Sequence, residues 1–254
     1  MKVRHVLACA VALAALAGCN NKTKTGGNAG TPTNDAVTIT QANPPPGGTW
    51  ADVVNETAAG GYMMGNPNAK VKLLEIGSLS CPHCKAFEDE GMPTLVNDYV
   101  KTGKVSWEFR PFLIHGPVDM AADLIVRCNG LKSFFPLAKA LYDDQAIWMG
   151  KLEAAAPDKV NAIQNLPPNQ AFVQMANLLG LQDWAAARGI PQAKSNQCLT
   201  DQKMIDREVQ VVSDVNNDYP DFTGTPGFVI NGKLVPNVAA WSGLKPALDA
   251  AVKE

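Results

Sequence analysis

Val71-Lys72-Leu73-Leu74-Glu75-Ile76, a short gap, then Cys81-Pro82-His83-Cys84: the reading of this stretch decides the fold. The first run is short and apolar and predicts a buried strand. Pro82 suits the first position of a helix capped by Cys81, where its missing N–H costs nothing. Two cysteines separated by two residues at a strand-to-helix junction form an arrangement that makes and breaks disulfides. Outward from the motif, the helix runs through Phe87 and Glu88, is disturbed near Gly91-Met92-Pro93, and resumes to Tyr99. Lys104 to Phe112 alternates like a second strand, which makes a βαβ unit.

After His115-Gly116 the pattern changes. Residues from about 117 to 217 lack strand alternation and repeat at helical spacing. Met120, Leu124, Ile125 and Cys128 fall on one face, as do Leu137, Leu141 and Trp148 with their neighbours. Gly224 to Val235 reads as a β-hairpin turning at Asn231-Gly232, and Trp241 to Val252 as a closing amphipathic helix. The outline is βαβ, a helical insertion, then ββα. Across 254 residues the apolar fraction is 46%, the aromatic fraction 7% and the net charge −2, so nothing in the composition draws nucleic acid.

The N-terminus reads as an export signal. Lys2, Arg4 and His5 precede an apolar run from Val6 to Ala17 that is too short to span a bilayer. Leu16-Ala17-Gly18-Cys19 resembles the lipobox of bacterial lipoproteins, whose signal is cut before the cysteine. That implies a signal peptide over 1–18 and a lipid on Cys19, where several acyl chains at about 0.8 kcal/mol per CH₂ anchor firmly. Plain signal cleavage with Cys19 incidental is the alternative. Asn20 stands where an aspartate would resemble an inner-membrane retention signal, which favours the outer membrane over the inner. Residues 19–48 are rich in Asn, Thr, Gly and Pro and read as a disordered tether, leaving 49–254 as the folded head.

The chain has six cysteines. Cys9 leaves with the signal and Cys19 is the lipid site, so four thiols stay in the head. Cys81 and Cys84 pair as a redox disulfide, which leaves Cys128 and Cys198 for a structural bridge; two separate buried thiols are the alternative. Such a bridge would contribute about 4 kcal/mol in the chain-entropy model. Neither has a His or Cys nearby in sequence, so no metal site is expected.

These marks together resemble the DsbA-type branch of the thioredoxin superfamily, over about residues 60–254. The inner pair Pro82-His83 is that of DsbA-type oxidases. Thr225-Pro226 before a strand matches the family's cis-proline loop. Glu75, before Cys81, matches a buried acid, and Glu88 an acidic position near the active site. Cys128 and Cys198 resemble the extra pair in the helical domain of some DsbA-like proteins. The resemblance implies an α/β thioredoxin-like fold with a helical insertion domain and a protein disulfide oxidoreductase that needs no cofactor. Cys81 would be the partly exposed nucleophile and Cys84 the resolving thiol. His83 would add a donor or a charge beside the Cys81 sulfur. Pro226 in cis would bring backbone against that sulfur, the Thr225 backbone would pair with an extended substrate, and its hydroxyl would donate towards Cys81. Glu75 would take part in proton transfer, or stand as a plain buried carboxylate; Lys104 is a candidate partner for Glu88.

A thiolate at a helix start is stabilised by about half a positive charge. A stable reduced form makes the disulfide a strong oxidant. Enteric DsbA, however, has valine where Thr225 stands, and threonine is also seen in disulfide isomerases. The expectation is a lipid-anchored periplasmic oxidase acting on reduced exported proteins and recharged by a DsbB-type membrane partner. The rivals are a reductase or isomerase, and a CxxC metal-binding lipoprotein.

Overall fold

Val71 to Gly77 is buried at every position except Lys72, and this sets the architecture. In a computed structural model that describes residues 43–254 and the backbone of residues 37–38, seven strands form one sheet. They are β1 (Val37–Thr38), β2 (Val54–Thr57), β3 (Tyr62–Gly65), β4 (Val71–Gly77), β5 (Val105–Pro111), β6 (Gly227–Ile230) and β7 (Lys233–Leu234), in the order β1-β2-β3-β5-β4-β6-β7. β4 and β5 run parallel, with Glu75 opposite Phe109; every other pairing is antiparallel. The signal at 1–18, Cys19 and most of the tether lie outside the described residues. Val37 and Thr38, within the tether as read, pair with Thr57 and Glu56.

The β4–β5 pair sits in the middle of the sheet and is covered on both faces, which explains its near-continuous apolar run. Leu73 shares a cluster with Phe109, Phe228, Phe87 and Leu244. Leu74 and Ile76 pack on the other face with Val229 and Val215. The expected βαβ unit is present: α1 (Pro82–Glu90) follows β4, a short α2 (Met92–Thr94) follows α1, and a π-helical turn (Leu95–Val100) leads to β5. The disturbance falls at Pro93, which has no N–H to give the helical ladder, while Gly91 keeps helical bonds at both its N–H and its carbonyl. The sequence reading missed β2 and β3, whose pairing extends the sheet on the β5 side.

Among the described residues, eight helices fill the insertion: α3 (Pro117–Arg127), α4 (Leu131–Asp143), α5 (Gln145–Glu153), α6 (Pro157–Gln164), α7 (Pro168–Leu179), α8 (Leu181–Ala186), α9 (Gln192–Leu199) and α10 (Gln202–Asp218). Helix α3 does not present one apolar face: it is buried on all sides from Val118 to Arg127. Leu137 and Leu141 lie on α4 and Trp148 on α5. All three are buried, and the Trp148 indole N–H donates to the Leu141 carbonyl at 2.9 Å. Arg127 pairs with Asp123 and with Glu208 of α10, and stacks over Tyr62 of β3, tying the insertion to the sheet. The β6–β7 hairpin turns at Asn231-Gly232, where φ is 50° and 78°, the positive pair a tight hairpin turn needs. The chain closes with α11 (Trp241–Lys253). Among the described residues no helix is long and apolar enough to cross a membrane.

Cys128, capping α3, and Cys198 of α9 form a disulfide with Cα atoms 5.7 Å apart and a sequence separation of 70. Closing a loop of that length restricts the unfolded chain, so the Cys128→Ser/Cys198→Ser variant should lose about 4 kcal/mol of unfolding free energy in a denaturant titration. A loss under about 1 kcal/mol would show that the bridge does not limit the unfolded ensemble.

Candidate active site

Strand β4 delivers the chain through Ser78-Leu79-Ser80 to Cys81, the N-cap of α1, with Pro82 in the first turn. Cys81 and Cys84 are both free thiols here. Cys81 is less exposed than expected, at 4%, but Cys84 is more deeply placed still, at 0%. Across the site the Thr225–Pro226 peptide is cis, and the Cys81 thiol donates to the Thr225 carbonyl at 3.4 Å. A residue far along the chain thus forms the opposite wall of the motif, as the resemblance implied.

The two sulfurs are driven apart electrostatically. Cys81 is lowered to about 5, first by a hydrogen bond from the Cys84 thiol, then by the Thr225 hydroxyl and the backbone N–H groups of Cys84 and His83, against burial. Cys84 is pushed well above the usual thiol range by burial, by its bond to Cys81 and by the charge of Glu75. The Ser78 N–H, 3.4 Å from the Cys84 sulfur, offsets part of this. The His83 side chain is exposed to solvent; its backbone N–H is what reaches Cys81.

Behind the dithiol lie the acids. Glu75, 2% exposed on β4, accepts from the Trp107 indole N–H at 3.2 Å and is held well above the carboxylate range by burial and by Glu88. Glu88 of α1 is raised to about 7, also by burial. Both line a cavity of about 320 Å³ walled by apolar residues, among them Met92, Trp107, Phe135 and Tyr142. Lys104 is not the cation that acts on Glu88; Lys139 and Lys85 are.

The sequence reading missed the supports of the loop before Cys81. Asp119 of α3 accepts from the Ser78 hydroxyl (2.8 Å), the Ser80 N–H (3.2 Å) and the His115 N–H (2.7 Å). The Tyr142 hydroxyl donates to the Ser78 carbonyl (3.1 Å), and the Gln145 amide to the carbonyls of Leu79 (2.8 Å) and Cys81 (3.1 Å). Ser80 Oγ and His115 Nδ1 share a hydrogen bond of 2.7 Å. Only the acid in the first turn of α3 left a trace in the sequence, and it reads there as an ordinary N-terminal charge. Among the described residues no group of three or more His, Cys, Asp or Glu side chains is placed to hold a metal ion.

The family model for thioredoxin matches residues 57–250. The chain belongs to the thioredoxin family. The solved protein-disulfide isomerase of Novosphingobium aromaticivorans shares 31% identity with it at a TM-score of 0.72, over 76% of this chain and 97% of that one. Alpha-DsbA1 of Wolbachia pipientis shares the fold at a TM-score of 0.59 and 23% identity, over 75% of this chain and 90% of that one. A protein of Rickettsia felis named as a protein-disulfide oxidoreductase is 27% identical over 193 residues, 76% of this chain. The chain spans about three fifths of the length of the Rickettsia relatives, 60% in that case. Within the thioredoxin family the helical insertion gives this chain a DsbA-like fold.

Because the Thr225 hydroxyl supports the Cys81 thiolate directly, Thr225→Val should raise the Cys81 midpoint above about 5 in a thiolate-absorbance titration. An unchanged midpoint would remove the hydroxyl from the list of causes.

Proposed function

We propose that this protein is a thiol–disulfide oxidase that passes the Cys81–Cys84 disulfide to cysteines of exported proteins. The observation that carries the reading is the asymmetry of the pair: a thiolate favoured at Cys81 and a thiol favoured at Cys84. A substrate thiolate attacks the Cys81 sulfur of the oxidised motif; the Cys81–Cys84 bond breaks, and Cys84 leaves with the electron pair and takes up a proton. Glu75, within electrostatic reach of Cys84 and itself inclined to hold a proton, is the group placed to supply it. A second substrate thiolate attacks the substrate's own sulfur, forming its disulfide and releasing Cys81 as a thiolate. Two electrons pass from substrate to enzyme. A thiolate that is stable at neutral pH leaves easily and keeps the reduced enzyme low in energy.

The Thr225 backbone, beside the Cys81 sulfur, offers an extended substrate a short strand pairing. Re-oxidation falls to a membrane partner of DsbB type. A signal over 1–18, a lipid on Cys19 and the Asn-, Thr-, Gly- and Pro-rich stretch after it support a head held in the periplasm, on the outer membrane in preference to the inner. A second reading, isomerase, is favoured by Thr225 and by the isomerase relative. The reduction potential separates them: an oxidase lies well above thioredoxin's value of about −270 mV, and a potential near that value would overturn the proposal. The Cys81→Ser variant should lose all oxidation of a reduced dithiol peptide.

The thiolate also links redox state to pH. The folded Cys81 midpoint, about 5, lies below that of an unfolded thiol. Its stabilisation of the reduced protein is therefore complete above the unfolded value and is lost as pH falls through about 5. The reduced protein should melt above the oxidised one at pH 7, with the gap closing between pH 7 and pH 5; a gap independent of pH would contradict the depressed midpoint.

A further inference from the structure

The loop Ser78–Cys81 carries no regular structure of its own, yet its polar groups are held from three successive helices of the insertion. Tyr142 and Gln145 hold carbonyls, and Asp119 holds the Ser78 hydroxyl and the Ser80 amide. Asp119 is 1% exposed, sits in the first turn of α3 and also accepts the His115 amide. The bonds it makes lead to both sulfurs by one residue each. Ser78 is the residue whose N–H reaches Cys84, and Ser80 precedes Cys81. We propose that Asp119 is a positioning residue for the dithiol, fixing the loop so that the Ser78 amide stays on the Cys84 sulfur and the Cys81 sulfur stays over the start of α1.

Each part of the argument is geometric. A buried carboxylate that accepts three donors has its orientation decided by them, and it decides theirs in turn. The Ser78 hydroxyl is anchored to Asp119 and also shares a hydrogen bond with the Ser80 hydroxyl at 3.1 Å. Without the acid, the Ser78 and Ser80 groups must find other partners in a buried place, and the loop shifts to provide them. A shift of the loop moves Cys81 away from donors whose effect falls steeply with distance and angle. The insertion would then act on redox poise through the loop, with no contact to either sulfur.

The inference rests on the proposed thiol chemistry only for its relevance, since the Cys81 titration reads the sulfur whether or not a substrate is oxidised. A failed peptide-oxidation assay with an intact titration response would sink the proposed function and leave this inference standing. In the reduced full-length protein, Asp119→Ala should raise the thiolate-absorbance midpoint by about one unit and move the glutathione equilibrium about tenfold towards the disulfide form. Asp119→Asn keeps the shape and one acceptor oxygen, and should shift both in the same direction by less. It decides the matter if the alanine variant does not fold. Leu179→Ala, which opens a cavity at a buried leucine of α7, controls for lost stability: it should lower the melting temperature and leave the midpoint in place. The proposal is overturned if the Asp119 variants titrate like the parent, or if Leu179→Ala moves the midpoint as far as they do.

Discussion

The Cys81 sulfur is met by donors from several directions: the amides of His83 and Cys84 at the start of α1, the Cys84 thiol below, and the Thr225 hydroxyl from the facing loop. This convergence is the constraint on which the rest of the structure depends. A helix start supplies the partial charge, but a charge stabilises an anion only if the anion is held against it. Strand β4 brings the chain to that point from the middle of the sheet, and β6 follows the cis-proline loop and pairs with β4, so both walls of the site hang from neighbouring strands. The same scaffold leaves Cys84 without exposed surface, where burial keeps it protonated. One helix turn therefore carries two thiols with opposite preferences.

Burying acids beside that pair has a physical consequence as well as a cost. Glu75 and Glu88 are both pushed towards their neutral forms by burial, and when ionised Glu88 raises Glu75 and Glu75 raises Cys84. The cavity they line sets their carboxyl groups, with Asn97 and Lys139, among mostly apolar residues. Arg127, between Asp123 and Glu208, brings a buried charge cluster into the seam between insertion and sheet, where burial pushes Glu208 up towards its neutral form.

Much of the fold was legible because its signals are local. The β4 run is apolar because both faces are covered, and the Asn231-Gly232 turn is written in two residues that tolerate positive φ. Pro93 announces the disturbance after α1 because it acts on its own backbone, which has no N–H to donate. Strands β2 and β3 were not legible: each is four residues long, and they meet across the Gly60-Gly61 turn. They become strands only by pairing with one another and with β5. Helix α3 gave a one-sided pattern that underestimates it, since its polar residues are buried too: Asp119 is bonded from the loop before Cys81, and Asp123 and Arg127 pair with each other, with Glu208 of α10 on the far side of the guanidinium.

The sequence by itself determined the dithiol at a helix start and the hairpin, and by count it offered the Cys128–Cys198 pair that the structure contains; the proline opposite the dithiol came from the family resemblance. These follow from chemistry within a few residues or from arithmetic on one residue type. The tertiary structure decided which groups touch the sulfurs. Thr225 reaches Cys81 across 144 positions, and Asp119 reaches Ser78 across 41. No local pattern encodes such contacts, because they exist only once packed helices and paired strands bring distant backbones to hydrogen-bonding distance. The motif states that thiol chemistry happens here; the packing around it sets how strongly the sulfur holds its charge.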